Sequence, residues 1–189
     1  MDNLEISFLL RVNQKFFDEL EIAKDLPNFK RMRQSKNYEL VRMEGAISIL
    51  FNGREILGKN YREEIYDVDF DTPALLDGKS CEEYLPISGH YLCLCPKGDQ
   101  VMYEVKSVQA KKVLITQSLP LIPFIQKWSY MKYRLMRLAA FLHDNEYKLV
   151  DWETWGFGTN KWKGIVGTAK INAIIHNDLV DVLTSTEYR

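Results

Sequence analysis

Residues 123–143 read PFIQKWSYMKYRLMRLAAFLH, and the rest of the chain can be interpreted around this stretch. Its large apolar residues recur at intervals of four and three, which places them on one stripe of an α-helix. They are Phe124, Trp128, Met131, Leu135, Leu138 and Leu142. Pro123 suits the first helical turn, where a backbone N–H is dispensable, and Asn145 suits the end. The spacing therefore predicts a long helix that the remaining elements must cover.

The opposite face of this predicted helix carries cations and tyrosines, and no acidic residue interrupts it before Asp144. Its members are Lys127, Tyr130, Lys132, Tyr133, Arg134 and Arg137. Long cationic side chains can solvate an exposed helix face or pair with acidic residues elsewhere in the chain. They can also contact a partner protein or a nucleic-acid backbone. The sequence leaves these alternatives open and makes this face a candidate contact surface.

Strands are predicted upstream of the helix. Residues 4–12 alternate apolar and polar, as in a half-buried strand. Asn52-Gly53 supplies two residues that tolerate positive φ, so 46–51 and 54–57 should pair through a type I′ turn. Further strands are predicted at 38–43, 91–95, 100–107, 111–116 and 147–152.

Two more helices are predicted, one near each end. The first is capped by Asn13 and runs to about Lys24, and the second follows a cap at Thr168 and reaches Val182, with a frayed tail from Thr184. Strands followed by a long helix, without regular alternation, indicate an α+β fold. We expect a mainly antiparallel sheet with the long helix packed on one face, in a single domain spanning residues 1–189.

Composition excludes several classes of partner. The formal net charge is −1, whereas proteins that hold nucleic acid by bulk electrostatics carry a marked positive excess. An anionic membrane surface is disfavoured for the same reason, and no apolar run approaches the length of a membrane span. The first residues lack the features of a signal peptide, so we predict a cytoplasmic protein without nucleic-acid or membrane partners.

The acidic residues are concentrated in one segment. Residues 55–83 contain nine acidic and three basic residues, whereas 106–137 contain seven basic residues and no acidic one. Asp67, Asp69 and Asp71 alternate, which suits a hard cation such as Mg²⁺ or Ca²⁺ but lacks the Gly and Glu of a calcium loop. A solvated edge or a docking surface for a basic partner are the other interpretations.

Catalytic motifs are absent from the sequence. His90, His143 and His176 are scattered, and none lies in a recognised metal or nucleophile pattern. Cys93 and Cys95, with His90 nearby, could form a metal pair, but reduced core cysteines explain them and Cys81 more simply. We therefore assign no catalytic residue, metal or cofactor. The alternatives are a metal-dependent hydrolase or nuclease that uses the three aspartates, and a structural or homo-oligomeric domain.

Residues 39–57, ELVRMEGAISILFNGREIL, carry a resemblance to a known class of protein. Together with the N-terminal strand, the acidic stretch after the hairpin and the late helix, this segment resembles small bacterial immunity proteins. Proteins of that type neutralise a toxin made by the same or a neighbouring cell. The resemblance implies a cytosolic, non-enzymatic protein that blocks a toxin by direct contact.

Two sets of residues are expected to make that contact. The resemblance and the charge pattern together point to an acidic set and a second, aromatic patch. These residues are Glu63, Glu64, Asp67, Asp69, Asp71, Trp155 and Trp162. Complementary charge would accelerate association with a basic toxin domain. The sequence does not fix the oligomeric state.

Overall fold

The computed structural model describes residues 3–34, 43–65, 67–143 and 160–189, apart from the side chains of Asn160 and Trp162. The strands are β1 (Leu4–Val12), β2 (Lys15–Asp18), β3 (Glu44–Phe51), β4 (Arg54–Leu57), β5 (Arg62–Glu64), β6 (Cys81–Leu85), β7 (His90–Lys97), β8 (Gln100–Ser107) and β9 (Lys112–Pro120). The helices are α1 (Glu19–Lys24), α2 (Leu26–Gln34), α3 (Thr72–Leu76), α4 (Leu121–Leu142), α5 (Asn160–Val166), α6 (Thr168–His176) and α7 (Leu179–Thr184). These elements form an α+β fold, as the sequence predicts.

The first sheet is antiparallel and five-stranded within the described residues, in the order β2-β1-β3-β4, with β5 also pairing with β3. The β3–β4 hairpin confirms the predicted Asn-Gly turn, since φ is 51° at Asn52 and 76° at Gly53. Strands β1 and β3 come very close at Gly45, where an added Cβ would lie 2.1 Å from the carbonyl oxygen of Leu9. Only glycine fits there without moving β1.

The second sheet is antiparallel and four-stranded within the described residues, in the chain order β6-β7-β8-β9. Strand β7 extends through Pro96 and Lys97, two residues beyond the predicted strand 91–95. Pro96 is tolerated because β6 pairs with β7 only as far as Leu94, so its missing N–H removes no bond to β6. The turn itself is Gly98-Asp99, with φ of 64° at Gly98.

Helix α4 confirms the predicted long helix, and all six residues of its apolar stripe are buried. It packs against β1, and α5, α6 and α7 also contact it. Tyr130, Lys132, Tyr133 and Arg134 are buried as well, so this face is not an exposed contact surface. Of the alternatives that the sequence leaves open, pairing within the chain is the one that Arg134 follows. A single hydrophobic cluster joins this helix to the inner faces of both sheets.

The predicted N-terminal helix from Asn13 is also wrong. Asn13 and Gln14 both have positive φ, 52° and 67°, and form a tight turn that returns the chain as β2. Phe17 therefore pairs with Leu10 on β1 instead of lying on a helix. The helix begins later, where the Asp18 side chain accepts from Glu21 N at 2.7 Å and Glu21 returns the bond in a capping box.

The predicted last helix is divided in two, because Asn177 ends α6 and Asp178 caps α7. Helix α6 follows Gly167, which has φ of 81°, and Thr168 is not its cap. The tail from Thr184 does not fray, since residues Thr186–Tyr188 form a 3-10 turn and Tyr188 is buried.

Some predictions lie outside the described residues. These are residues 38–42 of the predicted strand 38–43 and the predicted strand at 147–152. Met43, the last residue of the first of these predicted strands, is described and buried. In the ranges that the structure describes, no helix is long and apolar enough to cross a membrane.

Candidate interaction surfaces

Arg134 on α4 is a structural residue. Its side chain is 0% exposed and pairs with Glu19, which is 1% exposed, through Nε at 2.7 Å and Nη2 at 3.2 Å. The guanidinium also donates to the carbonyl oxygens of Ile6, at 3.0 Å, and of Tyr188. Because a buried charge is tolerated only when it is paired and hydrogen-bonded, this arrangement joins β1, α1, α4 and the C-terminal turn.

Arg137 and Lys127 on the same helix are half-buried. Arg137 donates to the carbonyl oxygens of Ile174, at 2.6 Å, and Asn177, at 3.1 Å, near the end of α6. Carbonyls at a helix C-terminus have no partner within the helix, so this arginine satisfies them. Burial lowers the pKa of Lys127, and the nearby positive charge of Arg134 lowers it further.

Lys132 connects α4 to the acidic segment. It is 5% exposed, and its Nζ donates to the carbonyl oxygen of Val68 at 2.8 Å. Burial lowers the pKa of Lys132, whereas the negative charges of Asp69, Asp67 and Glu83 oppose that shift. The acidic segment and the basic helix therefore meet inside the molecule through this lysine.

The aspartates of the acidic segment have different roles. Asp69 Oδ1 accepts from Trp128 Nε1 at 3.3 Å and from the backbone N–H of Phe70 at 2.9 Å. Asp71 caps α3 by accepting from Ala74 N at 2.9 Å. Asp67 is exposed at the surface. Of the three, Asp67 is the one whose placement best suits contact with a partner.

The two glutamates on β5 lie in different environments. Glu63 is 3% exposed, and its Oε2 accepts from the backbone N–H groups of Ile87 at 2.9 Å and Ser88 at 3.4 Å. It anchors the β6–β7 turn and lies in the interior, where it cannot reach a partner. Glu64 is half-buried and lies opposite Glu44 on β3.

The predicted aromatic patch stays a prediction. Trp155 lies outside the described residues, and Trp162 lies on α5 without a described side chain.

Metal ligation finds no support in the described ranges, where no group of three or more His, Cys, Asp or Glu residues could hold an ion. Cys93 is 3% exposed and its Sγ donates to Glu82 Oε2 at 3.1 Å. Burial and this hydrogen bond raise the pKa of the Cys93 thiol to about 11. That thiol is therefore protonated at neutral pH. The register places Cys93 opposite Glu82 and Glu104, so it is buried on the outer face of the sheet and not in the hydrophobic cluster.

A surface that the sequence analysis missed lies on the outer face of the four-stranded sheet. The strand registers align one residue from each strand in a row: Tyr84, Tyr91, Lys106 and Val113. Tyr84 and Val113 are each 45% exposed, and the rings of Tyr84 and Tyr91 pack with centroids 4.9 Å apart. The row thus places aromatic and aliphatic side chains in solvent.

More exposed apolar residues lie at the same end of this sheet. The β6–β7 and β8–β9 turns are neighbours there, since Val108 N donates to the carbonyl oxygen of Gly89 at 3.2 Å. We call the whole surface the sheet-end patch, and it consists of Tyr84, Ile87, Tyr91, Val108, Val113 and Leu114. Five of the eight large hydrophobic residues that are exposed in the described chain belong to it.

Charged residues flank the sheet-end patch on two sides. Glu82 is exposed on the outer face of β6, and Cys81 on the same strand contacts the acidic segment through Asp71, with Sγ 3.5 Å from the carbonyl oxygen. Lys111 and Lys112 are exposed beside β9. An apolar centre with a charged rim is the usual composition of a protein-binding surface. Here the half-buried Lys106 adds one positive charge within the centre, between Tyr91 and Val113.

Comparison of the chain with protein-family models, with curated proteins and with solved structures gave no match.

Proposed function

We propose that this protein is a bacterial immunity protein that acts in the cytoplasm and neutralises a cognate toxin by direct, non-enzymatic contact. The proposal places the sheet-end patch at the centre of that contact. The observation that carries it is the concentration of exposed apolar side chains at one end of one sheet. Scattered single apolar residues need no explanation, whereas a cluster with a polar rim indicates a protein contact.

The aromatic pair supplies the expected binding energy. Tyr84 and Tyr91 are packed on each other, so few rotamers are lost when a partner covers them. Tyrosine is among the residues most enriched in binding hot spots, because its ring is apolar and its hydroxyl can still form a hydrogen bond. A partner that buries this pair gains area without ordering a mobile loop.

The acidic segment supplies the expected selectivity. Glu82 is exposed on the β6 side of the patch and gives that side a negative charge, and Asp67 is exposed and close enough to Glu83 of the same strand to raise the pKa of that carboxyl. A basic toxin domain would approach it faster than a neutral one, and the effect would weaken with salt. Glu63 supports this surface from within by holding the β6–β7 turn, whereas Asp69 is half-buried and Asp71 is exposed, so both stay candidate contacts beside their structural bonds.

The test is a titration of the full chain with the toxin domain encoded by the neighbouring reading frame, followed by calorimetry. We expect Tyr84→Ala to weaken binding about 30-fold, the size of a hot-spot loss of ~2 kcal/mol. Leu20→Ala is the matched control, because Leu20 is 40% exposed on α1, outside the patch. It should change the affinity less than about twofold, within the usual range for a neutral surface change.

Charge reversal separates the contributions of the two regions. Asp67→Lys should slow association and flatten its salt dependence while leaving dissociation nearly unchanged. Co-expression with the toxin domain should protect growth with the wild-type chain and fail with Tyr84→Ala. No binding to the toxin domain would remove the immunity proposal, and equal losses for Tyr84→Ala and Leu20→Ala would remove the patch.

A further inference from the structure

Strand β9 has an open edge. In the part of the chain that the structure describes, β9 pairs with β8 alone and is the last strand of its sheet. An edge strand presents a row of unpaired N–H and C=O groups that can pair with another strand. Side chains along this strand are exposed, including Val113 at 45%, Leu114 at 41% and Thr116.

The register identifies the backbone groups that face the open edge. Leu121 N donates to the carbonyl oxygen of Asp99 at 2.9 Å, so the backbone of residue 121 points toward β8. In an antiparallel pair the two backbone groups of one residue point to the same side, and successive residues alternate. Leu119 and Gln117 therefore bond to β8, and the N–H and C=O groups of Ser118 and Thr116 point away from it.

Two features limit the regular part of this edge. Val105 pairs with Ile115 and Lys106 with Val113, so Leu114 is an extra residue in β9 and forms a bulge. Pro120 has no N–H to offer at the other end. The regular open edge is thus residues 115–119, a short segment with no charged side chain.

The charges beyond the two ends of this segment are opposite. Lys111 and Lys112 precede it and are exposed. Asp99 lies beside the other end, next to Leu121, and is also exposed. An antiparallel copy of the strand would therefore bring Lys111 and Lys112 of each chain to the end where Asp99 of the other lies. Asp99 is on the β8 side of Leu121, and the exposed Lys97 belongs to the same turn, so this attraction is indirect.

We propose that β9 pairs with β9 of a second copy of this chain, antiparallel and centred on Gln117. Thr116 of each copy then exchanges both backbone hydrogen bonds with Ser118 of the other. The Ser118 carbonyl oxygen also accepts from Gln117 Nε2 of its own chain at 3.1 Å, and its second lone pair serves the new bond. Leu114 lies against Pro120 of the second copy, which covers part of its exposed surface. The two four-stranded sheets become one continuous sheet across a twofold axis.

This pairing overlaps the sheet-end patch at Leu114, whereas the aromatic pair at the centre of the proposed toxin contact stays open. It uses the backbone edge of β9 and leaves Tyr84 and Tyr91, on β6 and β7, open to a different partner. Dimerisation is therefore measured without the toxin domain, and Tyr84→Ala, which leaves the β9 edge unchanged, separates the two contacts.

The test is the mass of the purified full chain, measured by light scattering over a range of concentrations without any partner. We expect the wild type to reach twice its monomer mass of 22.2 kDa. Thr116→Pro should remain monomeric, because it removes an N–H that faces the open edge and no bond to β8. Leu114→Lys should weaken dimerisation at least tenfold, and Val180→Lys should not, although Val180 is also 40% exposed.

Hydrogen exchange gives a second measurement that needs no variant. The amides of Thr116 and Ser118 should become protected as the concentration rises, together with the increase in mass. A wild type that stays monomeric at the highest concentration overturns the proposal. A dimer that persists in both Thr116→Pro and Leu114→Lys, or one without protection at those two amides, also overturns it.

Discussion

Helix α4 and the outer face of the four-stranded sheet use their side chains in opposite ways. The helix buries charges, with Lys132 at 5% exposure and Arg134 at 0%, whereas the sheet exposes Tyr84 and Val113 at 45% each. A buried charge must be matched by partners, and those of α4 are matched by Glu19 and backbone carbonyls. The charges of α4 therefore stabilise the fold, whereas the exposed apolar side chains of the sheet can contact a partner.

The largest effect should come from Arg134→Met. The change leaves the Glu19 carboxylate buried without its cation and removes the donors to Ile6 and Tyr188. We expect the free energy of unfolding to fall by about 3–5 kcal/mol, measured by urea denaturation. Adding Glu19→Gln should recover only part of this loss, because the two carbonyls stay unpaired. A loss below 1 kcal/mol would place the arginine outside the core.

Lys132→Met, also on α4, should lower the free energy of unfolding by less than Arg134→Met. It removes the hydrogen bond to the Val68 carbonyl and the positive charge near Asp69 and Asp67. We expect a loss of about 1–3 kcal/mol in urea denaturation. Lys112→Met is the control, since Lys112 is exposed at the start of β9, and it should change stability by less than ~0.5 kcal/mol. Equal effects of the two variants would contradict the structural role of Lys132.

A pH-dependent effect is expected at Glu83. Burial, with repulsion from Asp69, raises the pKa of Glu83 above its ordinary 4.5. The folded state therefore binds this proton more tightly than the unfolded chain. The resulting stability is present below pH 4.5 and is lost as the pH rises through the folded-state pKa. Glu83→Gln should thus gain stability relative to the wild type between pH 4 and pH 7, by well under ~1 kcal/mol because solvent screens the group.

Urea denaturation of the wild type and of Glu83→Gln, each at pH 4 and pH 7, measures this difference in stability. Glu82→Gln on the outer face of the same strand provides the matched control. A relative gain at pH 4 instead of pH 7 would show that Glu83 is stabilised in its charged form.

The smallest stability effect should come from the sheet-end patch. Val113→Thr removes apolar surface that solvent already contacts, so it should change the free energy of unfolding by less than ~0.5 kcal/mol. Tyr84→Ser also loses the cross-strand ring contact with Tyr91 and should cost no more than ~1 kcal/mol. The free energy of unfolding of each variant is measured by urea denaturation and compared with that of Arg134→Met. A loss above 1.5 kcal/mol at Tyr84 would mean that the patch belongs to the fold and would weaken its interpretation as a contact surface.

Local sequence patterns were sufficient for the elements formed by neighbouring residues. The Asn52-Gly53 hairpin, β1 and α4 follow from turn chemistry and from periods of two and 3.6. The pattern failed at Asn13-Gln14, because a tight turn with positive φ at two non-glycine residues has no strong signature. Phe16 and Phe17 then fit a helix or a strand equally well.

The site could not be derived because its residues are brought together by distant pairing. Arg134 and Glu19 are 115 positions apart, and no local period links them. The row of Tyr84, Tyr91, Lys106 and Val113 depends on the register of three successive hairpins and on the Leu114 bulge. The alternation of apolar and polar residues in a strand also does not show which face of the sheet other elements cover. The sequence therefore indicated the acidic segment and gave no signal for the outer face of the four-stranded sheet.

The sheet-end patch is the surface on which we propose that this protein binds its partner. Hydroxyl-radical footprinting of the full chain, alone and bound to the toxin domain, tests it most directly. Oxidation of Tyr84 and Tyr91 should fall several-fold in the complex, while Leu20 and Val180, which are similarly exposed elsewhere, should react as in the free chain. Unchanged oxidation of both tyrosines, with protection at Leu20 or Val180, would contradict it.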